Sequence, residues 1–267
     1  MKNNKLSSFI LYILGVFIIF PLIILCIWAF SKNWPWPLIF PRKLGLRGIK
    51  NVLNLGNNSL VVLLNSIGIS LIVTFLAILI SIPAGKALAF YNFKGKNLIK
   101  IIILTPLIIP PICIGLGIHV FFIKIGIAGK LIGVVIIHLV LCIPYSVRII
   151  TNVFEIIGEK IELQGKILGA NKFQRFIYIT LPMISSGLIS AGSFVFIISF
   201  SQYFLTFLIG GGRIITYPIL MFPFIRSGDR TIAASYSLVF VLVSLFVLFI
   251  IEKLVIKIYK TDKYLYM

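Results

Sequence analysis

Residues 9–30 read FILYILGVFIIFPLIILCIWAF, 22 positions without one charged side chain. A bilayer's hydrocarbon layer is about 30 Å thick, so a helix needs about 20 apolar residues to cross it. The run is too long for the apolar core of a cleavable signal, and no A-x-A-type site follows it. With Lys2 and Lys5 before it, it reads as a retained first span. Five more runs follow: Leu60–Pro83, with an extension towards Phe90, then Ile101–Ile123, Leu131–Ile150, Met183–Ile209 and Thr231–Ile251. These are helix-length runs, not the alternating segments of about ten residues that build outer-membrane barrels. The fold class is therefore all-α, a polytopic membrane bundle of about six helices.

Composition agrees. Of 267 residues, 60% are hydrophobic and 12% charged, with a mean hydropathy of +1.14. Soluble domains run at about 45–50% apolar and about 25% charged, which excludes a soluble enzyme. Disordered chains are poor in aliphatics, which excludes disorder. The formal charge of +19 would suggest nucleic acid in a soluble chain. Here the basic residues sit between apolar runs, where lipid head groups meet them, and no nucleic-acid partner is expected. With six spans, 15 of the 25 Lys and Arg fall on the side of the N-terminus and 10 on the other. That bias puts both termini in the cytoplasm. Cys26, Cys113 and Cys142 all lie in apolar runs and form no disulfide framework or metal spacing.

The chain carries no G-x-x-x-x-G-K-[ST] and no H-E-x-x-H, and it has no acidic residue within a span; Glu252 closes the sixth. No catalytic residue, metal site or resident cofactor is assigned, and the chain is not read as an enzyme. His119 and His138 are read as imidazoles hydrogen-bonded between helices, with a proton relay as the alternative. Pro106, Pro110 and Pro111 must distort the third span, as a hinge, a pathway lining or a static kink. In the fifth, Ser199, Gln202, Tyr203 and Thr206 recur at i, i+3, i+4 and i+7. That puts them on one helical stripe, a candidate pathway lining, with close packing of small residues as the alternative. Gly210–Gly212 should end that helix.

Two connections are long enough to hold structure. Ser31–Asn58 contains Trp34, Pro35, Trp36, Pro37 and Pro41, a composition suited to a head-group belt. Thr151–Pro182 combines Glu155, Glu159 and Glu162 with Lys160, Lys166, Lys172 and Arg175. From Glu162 it reads ELQGKILGANKFQRFIYITLP: a helix, a break at Gly169, a second short helix, and Pro182 opening the next span. Ile161, Leu168, Phe173, Phe176 and Ile177 give it an apolar face that would fit a partner's groove or a membrane surface.

This segment resembles the EAA loop of permease subunits of binding-protein-dependent ABC importers. That pattern is Glu-Ala-Ala, three residues, Gly, nine residues, then Ile-x-Leu-Pro. Gly169, the nine-residue gap, Ile179, Leu181 and Pro182 fit. Leu163-Gln164-Gly165 takes the place of Glu-Ala-Ala, with Glu162 one residue earlier. WPWPLIFP, Asn65-Ser66, IIPP, HLVLCIPYSVR, SFSQYFLTFLIGGG and Arg226-Ser227-Gly228-Asp229-Arg230 are similar to this family too.

The resemblance implies one permease domain over residues 1–267 in a bacterial plasma (inner) membrane, with a cytoplasmic coupling loop at about 151–182. Its coupling residues are Glu162, Leu163, Gln164, Gly165, Gly169, Ala170, Ile179, Leu181 and Pro182. The implied partners are ABC ATPase subunits that use ATP and Mg, a second permease subunit (a paralogue), and an extracytoplasmic solute-binding protein. The sub-group most alike is the spermidine/putrescine type, so the implied cargo is a small solute such as a polyamine. A secondary carrier needing no ATPase is the alternative, and the missing intramembrane carboxylate counts against it. A membrane scaffold or assembly factor is a third class, opposed by the kinked third span and the polar stripe.

Overall fold

A computed structural model describes residues 5–33, 40–54, 56 and 58–259. The Trp34–Pro37 stretch of the first long connection lies outside the described residues. The helices in chain order are α1 (Lys5–Ala29), α2 (Arg47–Leu53), α3 (Ser59–Phe90), α4 (Lys96–Ile108), α5 (Pro111–Lys124) and α6 (Leu131–Ile157). After α6 come α7 (Lys160–Ile167), α8 (Lys172–Arg175), a π-turn at Phe176–Thr180, α9 (Leu181–Met183), α10 (Ser185–Phe200), α11 (Phe204–Gly210), α12 (Tyr217–Arg226) and α13 (Arg230–Tyr259). Among the described residues the only β pairing is one antiparallel bridge between Ser31 and Leu44.

Four helices are long and apolar enough to cross a membrane alone: the Leu11–Ala29 part of α1, then α3, α6 and α13. Two more spans are bent pairs, giving six if each pair counts as one. The third run of the sequence is one of them, and it is not a single helix. Its halves, α4 and α5, meet at 105°. Pro110 caps α5 with extended ψ, Pro111 is its first helical residue, and neither supplies an N–H to continue α4. The other bent pair turns by 70° between Met183 and Ser185. The Met183–Ile209 run is thus bent at its start and broken again at Ser201–Tyr203, between α10 and α11. The helix of the fourth run continues to Ile157, so residues 151–157 belong to α6 and the connection proper begins at Gly158.

The chain divides into two compact units, residues 1–63 with 219–243 and residues 64–218 with 244–267. Polar ties mark the first. Ser31 Oγ donates to the Trp28 carbonyl at 2.8 Å and lies 2.7 Å from Thr231 Oγ1. Tyr236 is fully buried, with its hydroxyl 2.9 Å from Ser59 Oγ and within reach of Asn51 Oδ1. Arg47 pairs with Asp229. Much of α1 covers nothing in this chain: Leu11, Tyr12, Phe17 and Ile18 are all largely exposed.

In the second unit α6 is the central element. Val134, Val135, Ile137, Leu141 and Cys142 pack against Ile69, Val73 and Ala77 of α3, Phe122 of α5, Val195 of α10, and Leu205 and Ile209 of α11. Lipid tails are as apolar as leucine, so close packing and interhelical hydrogen bonds hold such a bundle together. Ser81 of α3 and Ser146 of α6 provide one such bond, 2.6 Å long and fully buried. A second cluster sits at the far end of α6: Ile150 and Phe154 with Ile184, Leu188 and Ala191. Leu181 packs on it and fixes where the connection after α6 rejoins the bundle.

Candidate functional site

The connection after α6 builds its shape from local rules. Gly158 ends α6 at φ +74, donating its N–H to the Phe154 carbonyl. After eight residues, just over two turns, α7 ends in a full Schellman closure. The Ala170 N–H reaches the Gly165 carbonyl at 3.0 Å and the Gly169 N–H reaches the Lys166 carbonyl at 3.1 Å. This closure needs a left-handed residue at its pivot, and Gly169 has φ +87. Asn171 then starts α8 with a reciprocal cap. Gln174 N–H donates to Asn171 Oδ1 and Asn171 N–H to Gln174 Oε1, both at 2.9 Å. Arg175 Nη1 donates to the Ala170 carbonyl, tying α8 back across the reversal.

Glu162 anchors the connection to the bundle. Lys86 Nζ of α3 donates to both of its oxygens at 2.6 Å, Thr180 Oγ1 donates to Oε2 at 3.3 Å, and Arg175 Nε lies 3.9 Å from Oε1. The neighbouring Leu163, which takes the place of the motif's acid, is instead half exposed. The acid has moved one position along the chain and still makes an ion pair. Gly165 is buried, and a β-carbon there would strike Cδ1 of Ile179. The front and back halves of the motif therefore pack on each other. Among its other residues Gln164 is exposed, Ala170 is partly buried and Pro182 lies in the first turn of α9.

The outer surface of the reversal is apolar and open. Ile167 is 84% exposed, Leu168 86% and Phe173 72%. Three large hydrophobic side chains on a braced turn are thus left uncovered by their own chain, as on surfaces that meet a partner or a membrane.

The fifth-span residues take a different arrangement from the stripe read in the sequence. Because the helix breaks at Ser201–Tyr203, the i, i+3, i+4, i+7 register does not run along one helix. Buried His138 of α6 bridges the break: Nδ1 lies 2.9 Å from Ser199 Oγ and Nε2 2.8 Å from Thr206 Oγ1. Thr206 Oγ1 also donates to the Gln202 carbonyl at 2.8 Å. Its single proton is thus committed, so Nε2 carries the imidazole proton and Nδ1 accepts from Ser199. Gln202 Oε1 accepts from the Leu205 N–H at the start of α11, and Tyr203 stacks on Phe207. Ser199 and Thr206 are buried, and Gly211, left-handed at φ +55, ends α11.

Sequence reasoning missed Lys86, Thr180 and Arg175 as partners of Glu162. A signal for the first existed: Lys86 is the only charged residue of α3.

Residues 77–258 match the family described as binding-protein-dependent transport system inner membrane component. The match covers the loop, its Lys86 anchor and the His138 knot. The chain belongs to this family. It is 34% identical over 131 residues to a molybdate/tungstate transport system permease protein of Pyrococcus furiosus, covering 48% of this chain and 52% of that one. It is 27% identical over 177 residues to a putrescine transport system permease protein of Escherichia coli K12, covering 62% and 63%. The chain thus spans between half and two thirds of the length of these two relatives. A protein named for 2-aminoethylphosphonate transport in Salmonella typhimurium is 25% identical over 241 residues, covering 90% and 89%. In fold the chain resembles a bacterial ABC transporter involved in import of the acidic polysaccharide alginate, with a TM-score of 0.71, 15% identity, and 93% and 94% of the two chains covered.

Proposed function

We propose that this chain is the membrane-spanning permease subunit of an ABC importer, one domain that lines the path of a small solute. The connection from Gly158 to Pro182 is its coupling loop, and both termini lie in the cytoplasm. A separate ATPase hydrolyses ATP with Mg, a second permease subunit completes the pathway, and an extracytoplasmic protein delivers the solute. The chain itself breaks no bond. Its task is to bind partners differently in two conformations.

The observation that carries this reading is the combination at the loop: a rigidly capped reversal, anchored by Glu162 on Lys86, that holds Ile167, Leu168 and Phe173 out of the chain's own core. A loop that only joined two helices would have no need of such side chains at its tip. Held open, they give an ATPase groove a handle, and Glu162 passes the motion of that handle to α3.

The cargo follows less directly. Relatives are named for a dication, for oxyanions and for a zwitterion. A polyamine stays within the reading, with recognition of its charge assigned to the binding protein or the second permease, because the apolar runs Leu60–Pro83, Ile101–Ile123, Leu131–Ile150 and Met183–Ile209 carry no acid.

The test is co-purification in mild detergent from cells of the source organism, with any P-loop ATPase retained on the chain identified by mass spectrometry. Wild type should retain the ATPase, and a Leu168→Asp, Phe173→Asp variant should insert normally and lose it. Retention by both forms sinks the assignment of the loop.

A further inference from the structure

A second place in the molecule carries charge without a use in this scheme. Between α3, α4 and α6, wholly within the second unit, lies a cavity of about 330 Å³ lined by Leu88, Lys100, Ile103, Leu104, Val147, Arg148, Thr151, Asn152 and Glu155. That volume is at the small end of the range for small-ligand sites. Its walls are of two kinds. Leu88, Ile103, Leu104 and Val147 are apolar, and Lys100, Arg148, Asn152 and Glu155 are polar or charged.

Arg148 and Glu155 are exposed and Lys100 is partly so, which leaves all three open to a ligand. Among the described residues the ion pairs are Arg47 with Asp229, and Lys86 and Arg175 with Glu162. Lys100, Arg148 and Glu155 enter none of them. Arg148, Asn152 and Glu155 fall at i, i+4 and i+7 of α6, one exposed stripe beside the buried Val147 and Thr151. Arg148 is nine residues before the end of that helix, about 14 Å along its axis. With 27 residues α6 is about 40 Å long, more than the hydrocarbon layer, and Arg148 lies at the end of its apolar run, where phosphate groups come within reach.

We propose that this cavity binds a phosphoethanolamine-type group. The phosphate oxygens sit between the Lys100 ammonium and the Arg148 guanidinium, and the amine sits against the Glu155 carboxylate. The guanidinium fork matches two phosphate oxygens at once, and the ammonium adds a point charge. Glu155 is the discriminating feature. It leaves the cavity a net charge of one, which disfavours a purely anionic ligand and gives a following amine its partner. The apolar walls take the carbon chain. This chemistry has two sources, the headgroup of phosphatidylethanolamine or a soluble aminoalkyl phosphate, and basic pockets between membrane helices are known headgroup sites. The proposal does not depend on the coupling loop and stands or falls separately from the transport reading.

The test uses the full chain, purified and delipidated in detergent, with native mass spectrometry reading retained adducts. The probes are phosphatidylethanolamine, phosphatidylglycerol and O-phosphoethanolamine. Phosphatidylethanolamine should be retained at least fivefold over phosphatidylglycerol, and at least tenfold less by Lys100→Gln, Arg148→Gln. Glu155→Gln should erase the preference between the two lipids. Arg213→Gln, at the Gly129 end of α6 and away from the cavity, should bind as wild type, and Lys100→Arg should recover most of the binding. If O-phosphoethanolamine binds with the same dependence on these variants and the lipid does not, the source is soluble. Phosphatidylglycerol bound as well as phosphatidylethanolamine, or either ligand retained by the double variant, overturns the assignment.

Discussion

Lys86 and Glu162 stand 76 residues apart in the chain and 2.6 Å apart in space. Both side chains are about four-fifths covered, so solvent screens the pair only partly. Hydrogen bonds to charged groups contribute about 1.5–3 kcal/mol, and stranding one partner costs more than removing both. Glu162→Gln or Lys86→Met should therefore loosen the loop without unfolding the bundle. Amide exchange across residues 160–180 should rise about tenfold, with α6 unaffected. The exchanged pair, Lys86→Glu with Glu162→Lys, should recover part of the protection. No change in exchange would show that the pair does not anchor the loop.

Gly165 offers a compensation test. Its missing side chain makes room for Ile179 Cδ1, the flexible end of that residue, so Gly165→Ala overpacks the loop at the low end of such costs, about 1 kcal/mol. Shortening the opposing residue with Ile179→Val should restore ATPase retention to Gly165→Ala. Equal defects in the single and double variants would locate the damage elsewhere.

At Gly169 the order of substitutions carries the information. A left-handed residue other than glycine costs about 1–2 kcal/mol, and asparagine pays least. Uptake should fall in the order Gly, Asn, Ala, Pro. Proline fails twice, since it cannot adopt φ +87 and has no N–H for the Lys166 carbonyl. Proline and asparagine performing alike would argue against a Schellman closure in the working transporter.

The imidazole of His138 should be worth more on its Nε2 side. Thr206→Val breaks both the contact to Nε2 and the bond to the Gln202 carbonyl, whereas Ser199→Ala removes one bond. Interhelical hydrogen bonds in membranes contribute about 0.6 kcal/mol on average, up to about 1.7. Unfolding in mixed detergent should show Thr206→Val destabilised by about twice as much as Ser199→Ala. A double cycle with His138→Leu should return a nonzero coupling for each. Zero coupling with Thr206 would remove the assigned tautomer.

Much of this could be read from residues in order. Charge-free runs announce spans because hydrocarbon forbids charge, and the glycine, Asx and proline signals around Gly169 act over a few residues. The reversal, with its break and second helix, is accordingly as read. What the order of residues hides is long range. Nothing local to Glu162 says that its partner is Lys86. The break at Ser201–Tyr203 contains no proline or glycine, and it stands where His138, from another helix, satisfies both sides. The polar register of Ser199, Gln202, Tyr203 and Thr206 was a regular pattern on a helix that is not continuous. The sharp turn at Pro110 lay in between: its cause was visible in the prolines, but its 105° was not.

The reversal at Gly169 keeps two kinds of information in separate residues. Its shape is written in backbone hydrogen bonds, two capping side chains and a largely covered carboxylate. Its identity to a visitor is written in Ile167, Leu168 and Phe173, which touch almost nothing of their own chain. Those three positions can therefore drift, or be exchanged for a relative's, without refolding what carries them. On the proposed coupling role, a change of partner would require editing only these three side chains, with the backbone that carries them left as it is.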